Sequence, residues 1–467
     1  MTRRRRRLAY RLALTLLLCG AAPSGLGPGT PVAGERGGRL LVTVAEVADD
    51  RAVLWLRAGA AERLRVRVAP VDDAAGGRRF EVQARPDWDH IVRVPLQGLR
   101  PAARYAYEVE SGGERVEGSF TSAPPAEAAA RVRLLWSGDL GGGGHCRDVE
   151  DGYPIFRAMA RRRADFFIFN GDTIYADHVC RATTPHVAGN EFVAVSLDEY
   201  RAKHRYNRED PAVQELLRVT SVYAAWDDHE VTNNFSGPTE PLMPIGRRAF
   251  RDYWAIDGPA EEPDRLYRSV RWGRSLEVFI LDTRQYRSRN EALDGPDKTM
   301  LGAAQRSWLL ERVSASDATW KLIVSSVPLG VFTGADSWTS ANFLGYPRPG
   351  AGFTWERDLI LRTLRGRGVR NVVFLSGDVH HAQFLRHEID GYVFHELMAG
   401  PLAARAGMPR FLDRSLHSRS LGSLGLVNNF GEIVVDGGRL TAWIRDGSGT
   451  VRAKLKLRAV EPGGDYL

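Results

Sequence analysis

Val372-Val-Phe-Leu-Ser376-Gly377-Asp378-Val379-His380-His381 runs a short apolar segment straight into a carboxylate and two imidazoles. The same grammar recurs three times. Arg131–Ser137 is followed by Gly138-Asp139 and then Cys146, Phe166–Asn170 by Gly171-Asp172 and Tyr175, and Val222–Trp226 by Asp227, Asp228, His229 and Asn234. A strand that stops at an acid or an imidazole serves a core badly, because those groups lose hydration there. It serves a metal site at the rim of a sheet well, and four such ends predict hydrolysis at two metals. One Gly-Asp pair alone reads as a turn aspartate capping a helix. Three after apolar runs, at Asp139, Asp172 and Asp378, read as ligands, with Asp172 able to bridge two cations.

Asp378 and His380 are two residues apart and face the same way if the strand continues. Asp227-Asp228-His229-Glu230 crowds three acids around one imidazole, which is unfavourable unless a cation compensates. Asn234 adds a neutral amide oxygen suited to a hard cation. His229 is placed to bond a phosphoryl oxygen or to protonate a leaving group. Cys146 has two readings: a disulfide with Cys180, in an oxidising compartment, or a thiolate ligand. A thiolate with the Tyr175 phenolate favours ferric iron. Asp172, Asn234 and Asp378 form an all-oxygen set that favours Ca2+, with Mg2+ or Mn2+ as substitutes, over zinc.

The 467 residues carry a formal charge of +7, but the charge is badly spread. Arg3–Arg7 and Arg11 supply six positives and residues 1–22 hold no acid, so removing them leaves about +1. That excludes a phosphate-backbone footprint as the source of the basic balance, and nucleic acid enters only as a substrate. The basic start, the apolar Leu12–Leu18 and the small Gly20, Ala21 and Ala22 predict a signal peptide over residues 1–24. The protein is then exported to the periplasm, cell surface or medium, and the arginine run admits the twin-arginine machinery as a partner. Cys19 follows the bulky Leu18, which argues against lipidation. No later segment is apolar for long enough to span a membrane.

Residues 25–38 are rich in Gly and Pro and read as a linker. Over 39–125, short alternating segments (Leu40–Val47, Ala52–Arg57, Leu64–Val68, His90–Val94, Arg104–Glu110, Arg115–Thr121) predict a β-sandwich domain. Leu96-Gln-Gly-Leu-Arg-Pro-Ala-Ala-Arg-Tyr105 is similar to the fibronectin type III pattern before its penultimate strand. Residues 130–460 alternate strands with helical stretches such as Tyr153–Arg163 and Ala303–Arg312. Gly431–Leu457 reads as a terminal pair of strands turning at Asp446-Gly447.

Gly-Asp139 with Cys146, Gly-Asp-x-x-Tyr175, Trp-Asp-Asp-His-Glu230 with Asn233-Asn234, Leu281-Asp-Thr-Arg284, Met300-Leu-Gly-x-x-Gln305-x-x-Trp308 and Gly-Asp378-Val-His-His381 together resemble the PhoD family of alkaline phosphatases and phosphodiesterases, within the calcineurin-like metallophosphatases. The resemblance covers roughly residues 39–455. It implies an α+β fold, a four-layer αββα core with an N-terminal fibronectin III-like sandwich. It implies iron on Asp139, Cys146, Asp172, Tyr175 and His380, calcium on Asp172, Asn234 and Asp378, and hydrolysis of phosphate mono- or diesters by a metal-activated water. His229 would then serve the leaving group, and Arg284 and His381 the phosphate. The loop Gly141–Gly144 with His145 departs from the family pattern. Two other readings are a secreted nuclease or phospholipid-cleaving diesterase, and a non-catalytic, metal-stabilised surface-binding protein.

Overall fold

A computed structural model describes residues 39–461 except 143–144, 182–184, 343, 347 and 349. The expected signal peptide and the whole linker, residues 25–38, lie outside the described residues, as do Gly143 and Gly144. Residues 39–461 belong to one compact unit.

The N-terminal strands are β1 (Leu41–Ala45), β2 (Arg51–Arg57), β3 (Arg63–Pro70), β4 (Arg78–Gln83), β5 (Ile91–Gln97), β6 (Arg104–Ser111) and β7 (Glu114–Thr121). β4-β3-β6-β7 form a four-stranded antiparallel sheet, and β1-β2-β5 lie in a second sheet facing it. Alternation explains the pairing: Leu64, Val66 and Val68 of β3 point inward while Arg63, Arg65 and Arg67 point out. The Arg100 amide donates to the Tyr105 hydroxyl at 2.7 Å, which fastens the corner before β6. β4 was not legible as a strand. Its Arg78-Arg-Phe-Glu-Val-Gln83 is an edge with every residue at least partly exposed.

β1 then pairs in parallel with β10 (Ser221–Ala225) at Ala45↔Val222, so its sheet runs on into the rest of the chain. That sheet has nine strands: β20 (Val451–Arg458), β19 (Arg439–Asp446), β18 (Asn429–Asp436), β8 (Arg131–Ser137), β9 (Phe166–Asn170), β10, β1, β2 and β5. A seven-stranded sheet lies opposite, in the order β11 (Arg268–Trp272), β12 (Leu276–Ile280), β13 (Trp320–Val324), β14 (Val372–Ser376), β16 (Tyr392–Met398), β15 (Ala382–Ile389) and β17 (Arg419–Leu424).

The central strands are apolar on both faces because both faces are covered. Leu134 and Trp136 of β8, Val278 of β12 and Leu375 of β14 fill the space between the sheets. Their neighbours face outward. Leu135 and Phe167 pack under α1 (Ile155–Ala160), α3 (Pro211–Leu217) and α4 (Met243–Trp254). Phe279, Ile323 and Phe374 pack under α5 (Gly302–Ala315) and α6 (Thr354–Gly366). The layers therefore run αββα. The remaining helix, α2 (Leu197–Arg208), carries a capping box in which Ser196 and Glu199 exchange hydrogen bonds.

The expected terminal pair of strands is in fact three. Gly437-Gly438 makes a turn that ends β18 before β19 begins, with Gly437 at φ +54. The buried β18 hides that turn in the sequence, because its apolar run leads straight into it. β8-β9-β10 are parallel, as are β12-β13-β14-β16. Their C-terminal ends bring all four motif strands to one rim.

Candidate metal centre

Each motif leaves its strand through a tight turn. Asp139, Asp172, Asn234, Asp378 and His380 all have positive φ, between 51° and 65°, and they are five of the fifteen described non-glycine residues that do. Such backbone is costly for residues with a Cβ and concentrates where function demands it. Glycines make the approach close enough. A Cβ on Gly138 would sit 2.8 Å from the Asn170 carbonyl, and one on Gly171 would sit 2.7 Å from the Asp227 Cβ. Backbone bonds lock two of the turns together: the Asp139 amide donates to Gly171 O and the Leu140 amide to Asp172 O. Glu230 ties in the third, accepting from the amides of Asp172 at 3.1 Å and Asp227 at 2.8 Å, and from the Thr173 hydroxyl at 2.7 Å.

Among the described residues four groups of ligand-type atoms result here, the atoms of each within 4.8 Å of one another: Asp139, Asp172 and His380; Asp172, Asp228 and His229; Asp227, Asp228 and Asp378; and, at the edge, Asp177, His178 and His229. Asp378 and His380 thus serve opposite ends of the cluster, because the chain turns at Gly377 where a continued strand was expected. Asp172 is shared by two groups. The oxygen-only group is built on Asp227, Asp228 and Asp378, with Asp172 outside it. Asn234 borders that group, its side-chain NH2 donating to Asp228 Oδ2 at 3.3 Å and Asp336 Oδ2 at 3.0 Å and its oxygen accepting from Asn233, so the amide must turn to offer its oxygen to a cation.

His380 Nδ1 lies 2.8 Å from the Arg405 carbonyl and so carries the proton. This leaves the Nε2 lone pair toward the Tyr175 hydroxyl at 3.1 Å and Asp139 Oδ1 at 3.5 Å, the tautomer a metal ligand needs. The Oδ2 atoms of Asp139, Asp172, Asp227 and Asp378 are buried with no hydrogen-bond donor. Burial, reinforced by the neighbouring acids, pushes Asp172 and Asp378 well above the usual carboxylate range. Burial also raises Asp139 to about 6 and Glu230 to about 7. In Asp228 burial is outweighed by Arg284 and His229, which bring it to about 2. Burial and the same acids push the Tyr175 phenol far up, so a phenolate there requires a cation beside it. Orphaned, converging carboxylate oxygens are what bound cations satisfy, so the residues present fit metal.

His229 stacks on Tyr175, with ring centroids 4.2 Å apart, and its Nδ1 is held at 2.8 Å by Asp177. Burial opposes its charge, but Asp228, Asp177 and Asp378 prevail and raise it to about 9.

Three expectations are corrected. Cys146 is joined to Cys180 in a disulfide, with Cα atoms 5.9 Å apart, and among the described residues its ligand-type group is with Cys180 and His186. A disulfide sulfur has no thiolate to give, so Cys146 is not a ligand of the Asp139 group. Arg284 is fully buried and pairs with Asp227 at 2.5 Å and Asp336 at 3.1 Å. It is counter-charge to the acids beneath the site and has no exposed surface for phosphate. His381 is 1% exposed, its Nδ1 is 2.9 Å from Val379 O, and burial lowers it to about 4, so it presents no charge to an anion.

Sequence reasoning missed Asp177 and Asp336. Asp177 follows Tyr175 by two residues, and the proximity of an acid to a motif was its signal. Asp336 sits in Thr333-Gly-Ala-Asp336-Ser-Trp338, with no apolar strand before it, and only the fold delivers it to Arg284 and Asn234.

The family model for PhoD-like phosphatase matches residues 144–439. Alkaline phosphatase D of Bacillus subtilis (strain 168) is 26% identical over 331 residues, which are 65% of this chain and 55% of that protein, so the match spans about half the length of the relative. A solved structure of PhoD superposes with a TM-score of 0.73 at 19% identity, covering 91% of this chain and 93% of the other. A purple acid phosphatase from yellow lupin (Lupinus luteus) seeds does so with a TM-score of 0.63 at 14% identity, covering 90% and 74%. At those identities the likeness is one of fold, and the family model supplies the rest: the chain belongs to the PhoD-like phosphatase family.

Proposed function

We propose that this protein is an exported, metal-dependent phosphoesterase acting on phosphate mono- or diesters, with residues 130–460 as its catalytic domain and 39–125 as a sandwich module beside it. The observation that carries the reading is the set of four buried carboxylate oxygens, from Asp139, Asp172, Asp227 and Asp378, converging without donors. Asp139, Asp172, Tyr175 and His380 would hold iron as Fe3+. Asp227, Asp228, Asp378 and Asn234 would hold Ca2+, or Mg2+ or Mn2+ in its place. Bound cations supply charge neutralisation for a phosphoryl group and a nucleophile at neutral pH.

The chain's own groups do the rest. Glu230 fixes two of the turns, so the ligands need little rearrangement when loaded. The carbonyl of Arg405 holds His380 by Nδ1, so that Nε2 is the atom turned to the site. Asp177 engages Nδ1 of His229, keeps that ring charged and leaves Nε2 for the departing ester oxygen, to which it gives its proton. Arg284 balances the acids from below without touching substrate.

The test is elemental analysis of the native protein, paired with rates on chromogenic mono- and diesters for the wild type and Asp172→Asn. We expect two metals, turnover, and a loss of at least about 100-fold in the variant. Bound metal without turnover would favour the surface-binding alternative, and a variant with undiminished rate would remove Asp172 from the site.

A further inference from the structure

The segment between β16 and β18 does more than connect strands. Six large apolar side chains among the described residues are more than 55% exposed, and three of them, Met408 at 62%, Phe411 at 60% and Leu426 at 67%, lie on this one segment. Leu426 is held with φ +60, a left-handed conformation that a leucine adopts only under constraint. The constraint is visible: its amide donates to Gly407 O at 2.8 Å. The Gly425 Cα is so close to the Met408–Pro409 backbone that a Cβ there would lie 2.6 Å from the proline ring. The fold therefore spends strained backbone on keeping an apolar tip in solvent, where it gains nothing.

The exposed acid and base side chains of the segment itself have one sign. Arg410, Arg414 and Arg419 are exposed and form no ion pair among the described residues. The one acid of residues 400–427, Asp413, is buried and bound to Arg357 at 2.7 Å. The same segment reaches the metal centre directly, since the Gly407 amide donates to His380 O at 2.6 Å and the Arg405 carbonyl accepts from His380.

We propose that this surface docks on an anionic lipid interface, seating the mouth of the metal centre against the headgroups. Apolar tips on a segment whose exposed Arg410, Arg414 and Arg419 have no ion pair among the described residues are the chemistry that such an interface recognises: the tips enter the acyl boundary and the guanidinium groups meet the phosphates. A soluble partner protein would more often meet such a patch with carboxylates placed at fixed points, whereas a lipid surface needs only charge density and depth. The docking rests on these side chains alone. What is hydrolysed there, a phosphoester presented at the surface, rests on the phosphoesterase reading above.

The test is co-sedimentation of the purified, full-length, metal-loaded protein with vesicles of phosphatidylcholine, with and without phosphatidylglycerol. Turnover of a soluble chromogenic ester is followed in parallel. We expect partition onto the anionic vesicles only. Met408→Ser/Phe411→Ser/Leu426→Ser should abolish it. Arg410→Gln/Arg414→Gln should weaken it by roughly 30-fold. Both variants should keep the soluble rate, which shows that they fold and separates this test from that of the chemistry. Three results would overturn the proposal: no partition by the wild type, equal partition by the variants, or a concentration-dependent dimer that the triple serine variant abolishes, which would make the patch a contact between copies.

Discussion

At the residue scale, what decides a side chain's behaviour here is whether burial finds a partner. His204 on α2 has none at Nε2 and stacks on Tyr253 with centroids 4.9 Å apart. Burial, then Arg208, lowers it to about 3. The folded value lies below the unfolded one of about 6.5, so its contribution is intact above that pH and is lost as pH falls toward 3, by about 1.4 kcal/mol per unit. His204→Phe keeps the stack and removes the titration. Urea unfolding at pH 7 and pH 5 should show the variant gaining about 2 kcal/mol on the wild type between the two. Parallel pH dependences would show that His204 is not the group responsible. The site acids are buried in the same way, and a bound cation would answer them.

At the element scale, legibility followed the strands. The central strands were readable because both faces are buried, which makes each a continuous apolar run that stops where its ligand begins, as Val372–Ser376 does before Asp378. Residues placed by loops were not. Asp336 carries no local signal, and Arg284, attractive as a phosphate ligand by its charge, proved to be the counter-ion of that same Asp336. Cys146 could not be resolved because a thiolate and a half-disulfide have the same letter. The strand-to-turn junctions carry the geometry, and Gly171 tests this. It has φ +88, and a Cβ there would press on Asp227 at 2.7 Å. Gly171→Ala should cost about 1–3 kcal/mol in denaturant unfolding and lower metal content, though alanine itself binds nothing and loses nothing. Full metal occupancy in a folded Gly171→Ala protein would show that the junction is slack.

At the scale of the whole molecule, two sheets converge on a cluster of acids that the fold tolerates only with compensation. Stripped of cations, Glu230 at about 7, with Asp172 and Asp378 well above the usual range, have folded values raised over unfolded ones near 4. Raised groups contribute stability that is complete at low pH and is lost as pH climbs through the folded values. The histidines that burial lowers oppose this trend only below their unfolded value of about 6.5, and His229, raised to about 9, adds to it above that pH, so the slope from 6.5 to 8 belongs to the site's acids together with His229. In that window the chelated protein should lose thermal stability with every rise in pH. Bound cations take the place of those protons, and at a thousand times their Kd they add about 4 kcal/mol. The loaded protein should therefore melt several degrees higher at pH 8, with little slope across the window. The comparison is a melting series at pH 6.5, 7.2 and 8, with and without chelator. Two flat, coincident lines would mean that the acids need no cation, and the metal centre would lose the energetic reason for its existence.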